Sequence, residues 1–401
     1  MLPRLMSERT RRHFAIGVFG ALGIAFLVAT HCYLAWRLVL EPAWPEPVRS
    51  TALVAVALLA ALLVAQPIAE RTLRRPMARF VAWPASLWMG AGFWLLLLLF
   101  ASDAFLWIAG GVARAADASP SGEGTAAWRA ALVLGATGAA VLSGLRSALA
   151  PPGLRRETFA IERWPRALDG FRIVQISDIH IGPILGRDFA TALTRRVNEL
   201  EPDLIAVTGD LVDGSAHLLA DEVAPFAALR ARHGVFFVTG NHDHYSGAGP
   251  WVETVRGLGM HVLRNERVEI GAPGASFDLV GVDDHHAHLV GSGREDLARA
   301  LAGRDPERAA VLLAHDPATF ARARGVAIDL QLSGHTHGGQ IWPFGWFVRL
   351  LTPWVAGRHR DGRAQLYVSR GTGFWGPPLR LGAPAEITEI VLRAARPEVL
   401  P

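Results

Sequence analysis

Six segments of the chain end on residue types that bind metal ions or move protons. They read FRIVQISDIHIG, DLIAVTGDLVDG, GVFFVTGNHDHY, FDLVGVDDHH, AAVLLAHDP and IDLQLSGHTHGG. Each starts as a short apolar run and breaks into Asp, Asn or His. The breaks carry Asp178, His180, Asp210, Asn241, His242, Asp243, His315, His335 and His337. Any one of them alone is ordinary: Gly-Asp after a strand is a common turn, and a single histidine there is a satisfied loop residue. The ordered set is different. Asp-x-His, Gly-Asp, Gly-Asn-His-Asp, His-Asp and Gly-His-x-His gather imidazoles, carboxylates and an amide. Such a donor mixture suits Mn, Fe or Zn, whereas Mg and Ca prefer shells of oxygen. Mn is the first expectation.

These residues need a scaffold that brings their segments together. From about Glu157 onward, short runs rich in Val, Ile and Phe alternate with helical stretches containing Arg, Ala and Glu. Continuous apolar runs of this length read as strands buried on both faces, so the class is α/β. In open α/β sheets, ligand sites form at the carboxyl ends of strands. Convergence of the six tips would set the nine residues around one cleft. The sequence shows no internal repeat.

The part before Pro151 is of another kind. Four long apolar stretches follow one another: Phe14–Trp36, Thr51–Ala69, Ala85–Ile108 and Ala126–Leu145. A helix needs about 20 apolar residues to cross the hydrocarbon core, so four membrane crossings are expected. Asp103 and Pro67 are taken to lie near helix ends. Residues 1–150 hold 13 arginines against 7 acidic residues, and residues 151–401 hold 27 against 29. The positive excess thus belongs to the membrane part and gives no argument for a nucleic-acid partner. Arginines flank alternate connections: Arg4, Arg9, Arg11 and Arg12, then Arg71, Arg74, Arg75 and Arg79, then Arg146, Arg155 and Arg156. The positive-inside rule places those segments, and the carboxyl-terminal part with them, in the cytoplasm. The expected location is the inner membrane, multi-pass. TRRHF at Thr10–Phe14 also fits a twin-arginine export signal; arginines preceding a first crossing are the reading adopted. Cys32 is the single cysteine, so no disulfide forms within the chain.

The ordered set resembles the calcineurin-like metallophosphoesterases over about Phe171 to Ile390, and most closely their bacterial membrane-associated, YkuE-like subgroup. TGDLVDG, GNHDHY, GVDD, SGHTHGGQ and YVSRGTGFWGPPLRLGAPAEIT carry the likeness. The resemblance implies a four-layer α-β-β-α sandwich behind the four-helix transmembrane domain. Residues 1–150 would be the membrane domain, 151–170 a linker with the first strand, and 171–401 the catalytic domain. It also implies two divalent metal ions per chain, bridged by Asp210. Asp178, His180 and His337 would hold the first, and Asn241, His315 and His335 the second. A water between two such ions loses a proton near neutral pH and attacks phosphorus in line with the leaving group. The family assigns His242 to that leaving group, and Asp243 is expected to orient it. The sequence departs from many members at Ala314, where they have Gly. The arginines with which protein phosphatases grip phosphate are absent after GNHD; Arg370 and Arg380 are the candidate substitutes. His285, His286 and His288 read as a solvated loop, with substrate contact as the alternative. His244 and Tyr245 line the cleft or finish a turn.

Directly after His337 come Trp342, Phe344, Trp346, Phe347 and then Trp354. Trp favours the membrane–water interface, so most of this group is expected to form a lipid-facing rim, with two or three rings packed inside. The combined expectation is a membrane-anchored, metal-dependent phosphoesterase. It would hydrolyse a phosphodiester or pyrophosphate bond on a lipid-linked substrate. A tethered phosphodiesterase for soluble nucleotide-like substrates and a non-catalytic metal-binding scaffold are the alternatives.

Overall fold

A computed structural model of the chain describes residues 8–115 and 125–395. Arg4 lies outside the described residues, as do the side chains of Arg9, Arg11 and Arg12 in the amino-terminal arginine group. The chain divides into two compact units: Met1–Ile68 with Pro84–Leu142, and Ala69–Trp83 with Ser143–Pro401.

The first unit is helical. Its helices are α1 (Glu8–Ala35), continued by a π-helical turn at Trp36–Leu40, then α2 (Val48–Thr72), α3 (Arg75–Ala115) and α4 (Thr125–Leu149). All four are long and apolar enough to cross a membrane. α3 extends well beyond the apolar stretch 85–108 at both ends. Hydropathy marks the part that matches a hydrocarbon core, whereas helix formers such as Met77 and Ala78 continue the helix outside it. Pro67 and Pro84 both lie inside helices, and Asp103 lies inside α3 instead of at its end. A carboxylate in such surroundings requires partners. Asp103 accepts from the Tyr33 hydroxyl at 2.7 Å and pairs with Arg37 and Arg129. Arg129 in turn pairs with Glu41.

The second unit holds two six-stranded sheets. The strands are β1 (Gly153–Ile161), β2 (Phe171–Ile176), β3 (Leu204–Thr208), β4 (Val235–Val238), β5 (His261–Val262), β6 (Glu266–Ala272), β7 (Ala275–Gly281), β8 (Ala310–Leu313), β9 (Leu330–Ser333), β10 (Gly357–Asp361), β11 (Ala364–Val368) and β12 (Glu386–Ala394). One sheet runs β1-β12-β2-β3-β4-β5 and the other β10-β11-β9-β8-β7-β6. Parallel pairs dominate both sheets, with antiparallel pairing of β12 to β2, β6 to β7 and β10 to β11. The helices are α5 (Arg187–Asn198), α6 (Ala216–Val223), α7 (Asn241–Tyr245), α8 (Ala248–Gly257), α9 (Leu297–Leu301), α10 (Phe320–Ala323) and α11 (Gly345–Leu351).

Side-chain alternation along each strand sends two sets of apolar groups to opposite faces. Ile173, Leu204, Ala206 and Phe236 from one sheet meet Phe277, Leu279, Val311 and Leu332 from the other in a central core. On the outer face of the first sheet, Val174, Ile205 and Phe237 pack against Leu193 of α5, Val223 of α6 and Trp251 of α8. On the outer face of the second, Val280 and Leu312 pack against Ala300 of α9 and Ala323 of α10. The result is the expected four-layer α-β-β-α sandwich. Strands covered on both sides have no solvent face, which is why they read as mainly apolar runs and not as alternating ones.

Candidate metal centre

β2, β3, β4, β8 and β9 lie side by side within their sheets and end at Ile176, Thr208, Val238, Leu313 and Ser333. Every expected ligand follows one of these ends by two to four residues. The chain turns sharply there. Asp178 and His180 both have φ +52°, Asp210 and His337 +51°, and His335 +71°. Non-glycine residues in this left-handed region each cost about 1–3 kcal/mol, and such strain concentrates at functional sites. Backbone bonds fix the turns. Ile179 N and His180 N donate to Asp210 O at 2.8 and 3.1 Å, and His335 N donates to Asp178 Oδ1 at 2.8 Å. Where a motif opens on glycine, the residue has a steric cause. A Cβ on Gly240 would collide with the Asp210 carboxylate, and one on Gly334 with Asp178 Oδ2.

The side chains form two facing groups. The ligand atoms of Asp178, His180 and His337 lie within 4.8 Å of one another, as do those of Asp210, His315 and His335. Asn241 Oδ1 joins the second group, 2.8 Å from His335 Nδ1 and 3.2 Å from His315 Nε2. Asp210 Oδ2 faces both groups, 3.1 Å from His315 Nε2 and 3.8 Å from His180 Nε2. His180 Nε2 and His337 Nε2 point at each other across 3.1 Å. The Asp178 Oδ2 atom is buried without a hydrogen-bond partner. A buried polar atom of that kind calls for a ligand, and converging nitrogens with a spare carboxylate oxygen are the donors that divalent cations take.

Electrostatics agree with this arrangement. Burial alone would raise the Asp210 pKa; the His315, His242 and His180 charges outweigh it and hold the carboxyl well below its usual range. Burial, with His180 and Arg380 nearby, lowers His337 and keeps its lone pair available. His315 is drawn up by Asp210 against the effect of burial, so a cation at this place would compete with a proton for the ring.

Beside the first group stands His242. Its Nδ1 is 2.7 Å from Asp213 Oδ1, and the same oxygen is 3.0 Å from His180 Nδ1. Burial lowers the His242 pKa, but Asp210 and Asp213 raise it by more, to about 9. The Asp213 carboxylate thus favours the protonated ring. The expected orienting partner, Asp243, has other bonds. Its carboxylate accepts the backbone N–H of Asp210, Leu211 and Gly240 at 2.8–2.9 Å. Asp243 ties the Asp210 turn to the start of α7, and Asp213 takes the role assigned to it. Both candidate arginines are committed to protein partners. Arg370 pairs with Glu386 at 3.0 Å. Arg380 is fully buried, donates to Gly373 O and Ala383 O, and stands 3.2 Å from His337 Nδ1.

His244 is buried between Thr239 and Ser292 and completes the turn. Tyr245 is half exposed, with its ring 5.6 Å from that of His242. Trp375, which sequence reasoning missed, flanks the same imidazole at 5.7 Å. Its backbone N–H donates to Gln340 Oε1 and its carbonyl accepts from Gln340 Nε2. Of the neighbouring histidines, His285 pairs with Glu295 and His288 bonds to His285 O, whereas His286 stacks on His335 at 5.7 Å. In the aromatic segment, Trp354 packs on Phe320. Trp342, Phe344, Trp346 and Phe347 are exposed, and α11 buries none of its residues.

Comparison with known proteins agrees with the geometry. Residues 171–339 match the calcineurin-like phosphoesterase family. A transmembrane protein with metallophosphoesterase domain from Bos taurus is 41% identical over 282 residues, which cover 67% of this chain and 63% of the bovine protein. The chain thus spans just under two thirds of that relative. The metallophosphoesterase YkuE of Bacillus subtilis (strain 168) is 32% identical over 240 residues, covering 57% of this chain and 82% of YkuE. A metallophosphoesterase of Aquifex aeolicus (strain VF5) is 33% identical over 259 residues, covering 63% of this chain and 97% of the relative. With the family match running from the start of β2 to just past His337, this membrane protein belongs to the calcineurin-like metallophosphoesterases, whose members bind divalent metal ions.

Proposed function

We propose that the chain is a membrane-anchored phosphoesterase that hydrolyses a phosphodiester or pyrophosphate bond of a lipid-linked substrate. Asp178, His180 and His337 would hold one divalent cation, Asn241, His315 and His335 a second, with Asp210 between them. When bound, the pair supplies charge neutralisation on the phosphoryl oxygens and a water acidic enough to be a nucleophile near neutral pH. The remaining work falls to side chains. His242 holds a proton for the leaving oxygen, and Asp213 fixes the ring so that Nε2 faces the cleft. Tyr245 and Trp375 flank His242 and limit the water that reaches it.

One observation carries the lipid assignment: exposed apolar side chains are concentrated on the segments that follow His337 and on the loop that flanks His242. Trp375 touches His242 and is hooked to Gln340; Trp342 follows, and its N–H donates to Leu381 O at 2.8 Å. α11 then presents Trp346, Phe347, Leu350 and Leu351 at 62%, 54%, 82% and 90% exposure. Soluble surfaces rarely leave such a contiguous patch open. Within the same unit, Arg380 N donates to Gly144 O of α4 at 2.9 Å, which sets the loop carrying Trp375 beside the end of a membrane-crossing helix.

The test uses the full chain in detergent with Mn²⁺ added. Turnover of a lipid pyrophosphate in mixed micelles is compared with that of a soluble nucleotide diphosphate ester. The lipid substrate should be preferred. Equal turnover would make the chain a tethered phosphodiesterase, and no turnover of either would favour a metal-binding scaffold.

A further inference from the structure

We infer that His286, Asp284 and Asp316 form a third divalent-cation site at the edge of the metal centre, beside His335. The inference extends the two-cation reading above and rests on it for the neighbouring pair. His286 follows the tip of β7, and Asp316 follows His315 at the tip of β8, so two adjacent strands deliver the donors. His286 Nδ1 is 3.6 Å from Asp284 Oδ1 and 3.7 Å from Asp316 Oδ2. The ligand atoms of His286, Asp316 and His335 lie within 4.8 Å of one another.

Two atoms of this group are buried without a hydrogen-bond partner: His286 Nδ1 and Asp284 Oδ2. Asp284 is 1% exposed, so water does not solvate it. Buried orphan atoms in a native structure call for a missing ion or water. A simple ion pair explains the spacing poorly, because an imidazolium would close to hydrogen-bond distance on one carboxylate. Donors about 2.1 Å from a tetrahedral ion stand roughly 3.4 Å apart, close to the separations seen.

Charge balance points the same way. Neighbouring acids have arginine partners: Asp283 pairs with Arg264 at 2.8 Å, and Glu295 with Arg322 at 2.5 Å. Among the described residues, Asp284 and Asp316 have no arginine partner; Asp284 Oδ1 accepts the His286 backbone N–H at 2.7 Å and Asp316 Oδ1 that of Ala318 at 2.8 Å, which leaves the Oδ2 atom of each for a cation. The mixed nitrogen and oxygen donors suit Mn²⁺ or Zn²⁺, and His286, about one third exposed, leaves an entry from solvent. A third cation would supply positive charge on the substrate side of the centre. Arg370 is committed to Glu386, and Arg380 to the Gly373 and Ala383 carbonyls.

The experiment counts metal. The full chain in detergent is saturated with Mn²⁺, and binding is followed by calorimetry and by elemental analysis after gel filtration. Wild type should bind three equivalents, the third more weakly. His286→Ala and Asp316→Asn should each bind two, and Asn keeps the cap that Asp316 Oδ1 makes with Ala318 N. Two equivalents in wild type at saturation would overturn the third site and leave the two-cation reading standing. Three equivalents in both variants would also overturn it. Fewer than two in wild type would overturn both readings.

Discussion

One oxygen of Asp213 faces two imidazoles with different tasks, the proposed ligand His180 and the proposed proton donor His242. A carboxylate on the far nitrogen fixes a ligand imidazole's tautomer and raises its basicity, and its loss typically costs 10–100-fold in metal affinity or activity. Asp213→Asn keeps the shape and removes the charge. It should weaken metal binding by about 10-fold or more and lower turnover as well. His242→Asn should leave metal content near wild type while turnover falls by ~10² or more. That loss should shrink for a nitrophenolate leaving group, which needs no proton. Equal losses for good and poor leaving groups would remove His242 from the acid role. Asp210→Asn should deplete both metal positions of the pair, since its Oδ2 faces both groups; a metal count equal to that of wild type in elemental analysis would remove the bridge. The proposed ligand residues were legible because each sits next to its own strand end in sequence. Asp213 was not. Its only sequence signal is the second aspartate of GDLVDG, and its partners arrive from β2 and β4. The isolated bridge between Ile181 and Val212 holds it in place, and that is a tertiary contact. Asp243, in contrast, was drawn to His242 by adjacency, although its carboxylate points back to the Asp210 turn.

Among the elements, the strands were the easiest to read. Burial on both faces makes β3, β4 and β8 almost wholly apolar and leaves β2, β7 and β9 two polar residues each, and the glycine after several of them marks the sharp turn. Short helices such as α9 and α10 carry too few residues for a clear period. α11 is the informative exception. GWFVRLL has no buried residue, so no core contact holds its rings. Surface substitutions away from core packing are usually within ±0.5 kcal/mol of neutral. Replacing Trp346 and Phe347 by Ser should therefore leave the melting temperature nearly unchanged. The rings matter only if something apolar covers them. Each is worth roughly 1.5–3 kcal/mol at full burial, and less at a half-wet interface. The double variant should show a higher KM for a micellar substrate, with kcat unchanged, because binding common to ground and transition states is what disappears. A small soluble phosphodiester should be hydrolysed as by wild type. Unfolding, or equal loss on both substrates, would make these rings packing residues and remove the main support for a lipid substrate.

At the scale of the whole molecule, the question is which side of the membrane holds the centre. The connection between α2 and α3 and the last part of α4 belong to the same compact unit as the two sheets. Arg75, the first residue of α3, stands 3.6 Å from Glu222 and donates to Ile184 O at 3.4 Å, while Ala148 packs with Leu185 and Phe374. Arg71, Arg74, Arg79 and Arg146 are in these same segments. Arginine-rich connections stay on the cytoplasmic side, and the connection at Glu41–Ser50 has only one arginine against two glutamates. The positive-inside rule therefore predicts a metal centre on the cytoplasmic side. A fluorescent reporter active only there, fused after Pro401, should light up, and a phosphatase reporter active only outside the inner membrane should stay silent at that position and become active when inserted at Glu46. Replacing Arg71, Arg74 and Arg79 by Gln should weaken the bias and yield a mixed population, while Arg75 is left alone for its contact with Glu222. A phosphatase signal from the Pro401 fusion in the native sequence would place the centre outside the cytoplasm and return TRRHF to an export role. A lipid substrate would then have to be presented on the outer leaflet.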